Sequence, residues 1–417
     1  MSLKLRKDFL RIILSTNPST SINVCPSKKM IPMSSLILTF IHSKRKRMNN
    51  DWYRIQNVEM VDSPSIALYL ENLKFNVQEM ISLVHGNTER LMPHIKTNKM
   101  PKVMDYLLES GISNFKASTI SEAEIAAEAG ANSVLIAHQL VGPKVDRFLE
   151  LCQHYPNTQF STLIDNMGSA ELLNGKALES GRMAHIYIDI NNGMDRSGIK
   201  IDAGLDDLLQ YLDTCKGLHF DGFHVYDGHL RDPEFSQRNK KIEHDLERVT
   251  VYFNNIKNKY PEVKMICGGT PSFTSHLLEE NRITSPGTCV LWDWGYGEKL
   301  TEQSFRYAAL VITRVISKPT EGIITVDMGH KSVSAENPID KRIKFLNLDN
   351  YELLSQSEEH GVIRVSDWDH WKVGDVLYGV PYHICPTINL HDEVSVIEDG
   401  KKGDTWDITA RRRKLQF

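Results

Sequence analysis

Between about residue 64 and residue 294 the chain keeps switching its apolar rhythm, and that alternation restricts it to few folds. Short runs rich in β-branched and aromatic residues read as eight strands: Met92–Lys96, Asn114–Ala117, Ser133–Ala137, Gln159–Ile164, His185–Ile190, Gly222–Tyr226, Lys264–Cys267 and Cys289–Asp293. Longer segments with apolar residues at helical spacing lie between them. One, Ser121 to Gly130, opens on a capping serine and closes on a glycine stop. Eight strands alternating with helices predict an α/β fold, a (β/α)8 TIM barrel, whose active site gathers at the carboxyl ends of the strands. A doubly wound sheet is the alternative. The barrel is favoured by the groups that crowd the predicted strand ends: Lys96, Asp165-Asn166, Asp227-Gly228-His229 and Gly268-Gly269-Thr270.

After Gly297 the texture changes to strand-like runs, Arg306–Ile316, Gly322–Met328, Val373–Val380 and Asp392–Ile397, with little helical spacing. Four segments are therefore expected: 1–47, a disordered or non-native extension; 48–60, a strand joining the β domain; 61–297, the barrel; and 298–417, a β-rich domain. Of the 49 Lys and Arg, ten fall within residues 1–47 against the single Asp8, so the remainder is acidic. An acidic body offers nucleic acid no footprint. The basic head has no apolar run long enough to span a bilayer, and an organelle-targeting segment is its alternative reading. Six cysteines without CxxC pairs suit reduced thiols in a cytoplasmic protein without membrane partners.

Several residues carry possible chemistry. His94 and Lys96 alternate to the same side of the first predicted strand, and a desolvated lysine there can become a nucleophile that forms a Schiff base with an aldehyde. An ion-paired barrel lysine is the competing reading. Gly268-Gly269-Thr270, between a strand and a helix, and the Ser285-Pro286-Gly287-Thr288 loop offer N–H groups and hydroxyls to a phosphate. Glycines in turns also serve the turn alone. A lysine at one strand end with phosphate loops after later strands is what a pyridoxal phosphate enzyme needs. In the β-rich part, His383 and Cys385 on a strand would point the same way and could share a borderline cation, zinc first. Asn192 to Gly198 sets Arg196 after the fifth strand, where it either faces a cofactor or stays exposed, and Glu358-Glu359-His360-Gly361 is either a solvated turn or a support to the metal pair.

The order of the motifs PHIKTNK, NNGMDRSG, GFHVYDGH, CGGTPSF, SPGTCVLWD, VDMGHKSVSAE, SEEHGVIRV, VPYHICPTINLHDEV and WDITARRR resembles the D-threonine aldolase and D-serine dehydratase-like family. These are fold type III pyridoxal phosphate enzymes with an alanine racemase-like barrel and a β domain. The resemblance runs from about residue 52 to the C-terminus and leaves out residues 1–47. It implies that Lys96 carries the cofactor, with His94 beside it. It also implies that Arg196 approaches the phenolic oxygen, Tyr226 contacts the ring, and Gly268, Gly269 and Thr270 bind the phosphate. His383 and Cys385 would hold a divalent metal, zinc before manganese, at the β-hydroxyl of a D-amino acid, in a homodimer. Lys99 is left as a surface or pairing lysine.

Retro-aldol cleavage of a β-hydroxy-D-amino acid, as in D-threonine aldolase, is the expected reaction, with D-serine dehydration as the alternative. The segments VDMGHKSVSAE and EEHGVIRV look closer to the aldolases, while the HxC pair is the dehydratase form. At the place of the aldolases' histidine base stands Asp232, so His229, three residues nearer, is the candidate base here; a rim histidine is its competing reading. An amino-acid racemase and a non-catalytic cofactor carrier are the remaining alternatives.

Overall fold

The computed structural model describes residues 51–415, so the expectation for residues 1–47 lies outside the described residues. Seven parallel strands curl side by side in chain order: β2 (Asn114–Ala117), β3 (Ser133–Gln139), β4 (Gln159–Ile164), β5 (Ala184–Ile190), β6 (Leu218–Val225), β7 (Lys264–Cys267) and β8 (Arg282–Thr284), following β1 (Ser65–Tyr69), which belongs elsewhere. Met92–Lys96, expected as the first strand, is not a continuous strand; Leu91 and His94 close the ring as isolated bridges. Met92 N donates to Thr284 O at 2.8 Å and His94 N to Pro286 O at 2.8 Å, while Ile95 N donates to Lys116 O at 2.9 Å on the other side. Met92, Leu135, Leu163, Tyr187 and Ile266 fill the barrel's middle, as the inward-facing layers of such a barrel require.

A second expected barrel strand is absent from the sheet. Cys289–Asp293 forms a 3-10 turn at Thr288–Val290, and the last barrel strand is Arg282–Thr284. Cys289, Val290, Leu291 and Trp292 are buried in the main core, where Asn76 Nδ2 of the helix Leu70–Leu83 donates to Val290 O at 3.1 Å. A short apolar run reads the same whether it is buried in a sheet or against a helix.

The β-rich part forms a nine-stranded sheet from β1, β9 (Ala309–Thr320), β10 (Ile323–Val326), β11 (Ile343–Phe345), β12 (Tyr351–Gln356), β13 (Gly361–Val365), β14 (Val376–Pro381), β15 (Glu393–Glu398) and β16 (Lys401–Asp407). The long β9 is its spine, paired with β1, β10 and β14. Of residues 48–60, expected as a strand, the described part, 51–60, is turns and a 3-10 helix; Tyr53 and Ile55 nonetheless bury themselves against Tyr69, Leu310 and Tyr378 on this sheet. The strand that does join it is β1, parallel to β15 and antiparallel to β9. Barrel and sheet are stitched by the buried Asp293, whose carboxylate accepts from Tyr296 N at 2.9 Å and from Ile384 N at 3.1 Å. Among the described residues no helix is long and apolar enough to cross a membrane.

Candidate active site

Lys96 stands where the closing segment leaves the barrel, half-buried, with its N–H on His94 Nδ1 at 3.3 Å. His94 bridges to Lys116 on β2 and is buried; burial first, then the charges of Lys96 and Lys116, holds its imidazole well below the ordinary value. The neighbouring Thr97 hydroxyl lies 3.1 Å from Cys385 Sγ, and Thr288 Oγ1 lies 3.4 Å from the same sulfur. A residue of the second domain therefore sits against the residue next to Lys96.

The phosphate loops converge here. Gly268 has φ +69°, and a Cβ on it would stand 2.4 Å from Ser272 Oγ and 2.5 Å from the His276 ring. Only glycine fits that close, left-handed turn. The turn is braced from below: Ser272 Oγ donates to Asp227 Oδ1 at 2.6 Å, and Asp227 Oδ2 pairs with His276 Nε2 at 2.7 Å. Thr270 Oγ1 accepts from Gly287 N at 3.1 Å and Thr288 N at 3.0 Å, which joins the two loops into one cradle of small residues. Tyr226 adjoins it, its ring 3.1 Å from where a Gly269 Cβ would be, and the Arg196 guanidinium lies 4.5 Å from the Tyr226 ring centroid.

Sequence reading passed over one group. Lys116 is buried at the end of β2, with Nζ 3.3 Å from Gly268 O, 3.5 Å from His224 Nε2 and 5.7 Å from the Tyr226 centroid. Burial first, then the charge of Lys96, pushes its ammonium down to about 7. His224 Nδ1 in turn meets Asp189 Oδ1 at 2.8 Å. The signal was present: strands of a parallel barrel read as apolar runs, and NFKA contains a lysine.

The HxC pair does not lie on a strand. His383 follows β14 and caps the short helix Ile384–Ile388, which starts a helical turn between the two residues. They still converge. Burial opposes charge on both, yet their mutual hydrogen bond and Glu336 raise His383 to about 9, while His383 and Lys96 bring the Cys385 thiol below its ordinary value. Glu336 hydrogen-bonds His383 Nδ1. A thiol held toward thiolate beside an imidazole with a carboxylate behind it is a donor set that fits a zinc-class ion. The cradle's donor set, backbone N–H groups and hydroxyls in two adjoining loops, likewise suits a phosphate-bearing cofactor.

His229, Asp232 and Lys99 each have a charged partner of their own. His229 Nε2 is 3.5 Å from Asp245 Oδ2, and it approaches the 192–193 loop, 3.9 Å from the place of a Gly193 Cβ. Asp232 pairs with Lys241 at 2.5 Å. Lys99 is a pairing lysine, buried against Glu122.

Residues 68–291 match the alanine racemase N-terminal domain model and residues 308–397 match a serine dehydratase domain model. The chain belongs to the D-threonine aldolase and D-serine dehydratase-like family. It is therefore an enzyme of the pyridoxal phosphate-dependent lyases with an alanine racemase-like fold. It is 26% identical to D-threonine aldolase from Arthrobacter sp. over 84% of this chain and 93% of that one. It is equally 26% identical to 3-hydroxy-D-aspartate aldolase from Paracoccus denitrificans (strain Pd 1222), over 84% and 92%. Among solved structures, D-threonine aldolase from Filomicrobium marinum superposes with a TM-score of 0.75 at 24% identity, covering 86% of this chain and 98% of that one. D-threo-3-hydroxyaspartate dehydratase from Delftia sp. HT23 shares the fold, with a TM-score of 0.69 at 20% identity, covering 84% and 97%.

Proposed function

We propose that this protein cleaves β-hydroxy-D-amino acids to glycine and an aldehyde, as a D-threonine aldolase does, using pyridoxal phosphate and a divalent metal. The observation that carries this reading is the 3.1 Å approach of Cys385 Sγ to Thr97, which sets a metal-type donor pair beside the lysine of the cradle. Lys96 would hold the cofactor, Gly268, Gly269 and Thr270 its phosphate, and Tyr226 and Arg196 its ring side, with His94 next to Lys96. When bound, pyridoxal phosphate supplies an electron sink for the bond broken at Cα, and a metal at His383 and Cys385 supplies Lewis acidity at the β-hydroxyl. Zinc suits a thiolate and an imidazole, with manganese as the alternative.

The remaining work falls to side chains of this chain. Tyr226 and Arg196, stacked on each other, form one rigid wall of the pocket. His94, kept neutral by burial, adds no charge beside Lys96. His229, backed by Asp245, is the base assigned to take the β-hydroxyl proton. Five free thiols among the described residues agree with a cytoplasmic protein, and the family resemblance supports a homodimer.

Dehydration is the second reading, and the HxC pair favours it: a D-threo-3-hydroxyaspartate dehydratase has been solved as a histidine-to-alanine variant and as a cysteine-to-alanine variant in a metal-free form. Incubation of the loaded protein with D-threonine and with D-serine, with and without a chelator, separates the two. Chelator-sensitive glycine and acetaldehyde support the aldolase, and pyruvate with ammonia supports the dehydratase. No product from either, with both cofactors supplied, would remove the proposal.

A further inference from the structure

The end of the barrel opposite Lys96 carries its own polar cluster. Gln159 opens β4, His185 is the second residue of β5, and His219, its register partner, is the second residue of β6. There β6 bulges: Ile186 pairs with Phe220 but Tyr187 pairs with Gly222, so Asp221 is the extra residue. Gly222, at φ +140°, permits this, because a Cβ on it would stand 1.9 Å from Lys264 O. The bulge turns the Asp221 carboxylate onto both histidines, with Oδ1 3.0 Å from His185 Nδ1 and 2.8 Å from His219 Nδ1. The two rings are 4.8 Å apart, and the Asp221 side chain is only 9% exposed.

Gln159 Nε2 donates to Asp221 Oδ2 at 3.4 Å, while His185 Nδ1 and His219 Nδ1 both meet Oδ1, so the carboxylate is the shared partner of all three side chains. Two imidazole nitrogens and one carboxylate oxygen thus converge from two adjacent strands, within 4.8 Å of one another, and Gln159 on β4 steadies the carboxylate. Around a tetrahedral ion with bonds of about 2.0–2.2 Å, donors stand roughly 3.3–3.6 Å apart. The two histidine-to-carboxylate spacings, 3.0 and 2.8 Å, have to open by a few tenths of an ångström, and side chains 30% and 54% exposed at His185 and His219 have room for that.

We propose that His185, His219 and Asp221 bind a zinc-class divalent cation at the barrel floor, with water completing its coordination and Gln159 holding the Asp221 carboxylate. The site is separate from His383 and Cys385 and does not depend on the reaction assigned above. Its role is structural, tying β5 to β6 where the bulge interrupts their ladder.

The test uses the full chain loaded with pyridoxal phosphate and carrying His383→Ala and Cys385→Ala, so that this pair cannot compete. Zinc is titrated calorimetrically and thermal unfolding is followed with and without it. One zinc per chain is expected, with a concentration-dependent rise in melting temperature. His219→Ala and Asp221→Asn should each weaken binding by more than the roughly 100-fold that losing an outer partner costs, and abolish the rise. Equal binding by the parent and both variants, or none by the parent, overturns the proposal. Should the double background fail to fold, the unaltered protein is compared with His219→Ala: a loss of one zinc per chain supports the site, and equal content refutes it.

Discussion

Lys116 is the residue whose presence is hardest to explain by packing. It is buried beneath Tyr226, and among the described residues it makes no ion pair. Its folded value of about 7 lies below the ordinary 10.5, so between those pH values the unfolded chain takes up a proton that the folded chain does not hold. The stability penalty of this group therefore shrinks as pH rises from about 7 to about 10. Lys116→Met, which keeps length and removes the amine, should abolish that rise; urea midpoints of parent and variant at the two ends of the window measure it. Parallel curves would show that the amine does not titrate there. Lys96 at the end of an apolar run and the short spacing of His383 and Cys385 could be read from the chain because both are local, although the pair was expected on a strand and instead flanks the start of a helix. A lysine within NFKA was legible too, but not its meeting with the His224–Asp189 pair, which depends on which strands adjoin around the barrel.

At the scale of elements, two turns fix the site. Gly268 in the first phosphate loop has φ +69° and the Asp227–Ser272–His276 brace closed around it. Gly268→Ala should cost about 1–3 kcal/mol of stability from backbone strain, with further loss from the clash, and should release pyridoxal phosphate on gel filtration. A variant that melts like the parent and keeps its cofactor would contradict this account of the cradle. The second turn is held by Asp293, whose loss leaves two backbone N–H groups without their acceptor. Asp293→Ala should destabilise the protein by about 1–3 kcal/mol for each orphaned donor and lower the zinc affinity of the HxC pair, both readable in melts with and without zinc. Burial also pushes Asp293 up to about 6, so its penalty grows as pH rises from about 4 to about 6, and Asp293→Asn should flatten stability across that window. Strand order and most strand bounds could be read from the chain. Cys289–Asp293 could not, since its partner is the helix Leu70–Leu83, more than 200 residues earlier.

At the scale of the molecule, the second domain brings His383 and Cys385 to a barrel that otherwise has the cofactor cradle alone. Removing the metal should then stop cleavage without releasing pyridoxal phosphate, because the cradle is built from Gly268–Thr270 and Gly287–Thr288 and not from the HxC pair. Chelated protein that keeps its visible absorption but loses product formation, and regains it with zinc, is the expected result; loss of both together would place the metal in the cradle itself. The sequence showed that a β-rich part follows the barrel, but not that the link runs through Asp293, nor that β1, ahead of the barrel, is a strand of the later sheet.

The central claim is that Lys96, and not the buried Lys116 nearby, carries the cofactor. Borohydride reduction of the protein loaded with pyridoxal phosphate, followed by peptide mass spectrometry, tests it directly. The account predicts one modified peptide, bearing the reduced cofactor on Lys96 and absent in Lys96→Ala. Label on Lys116 in the parent, or no label on either lysine, would contradict it.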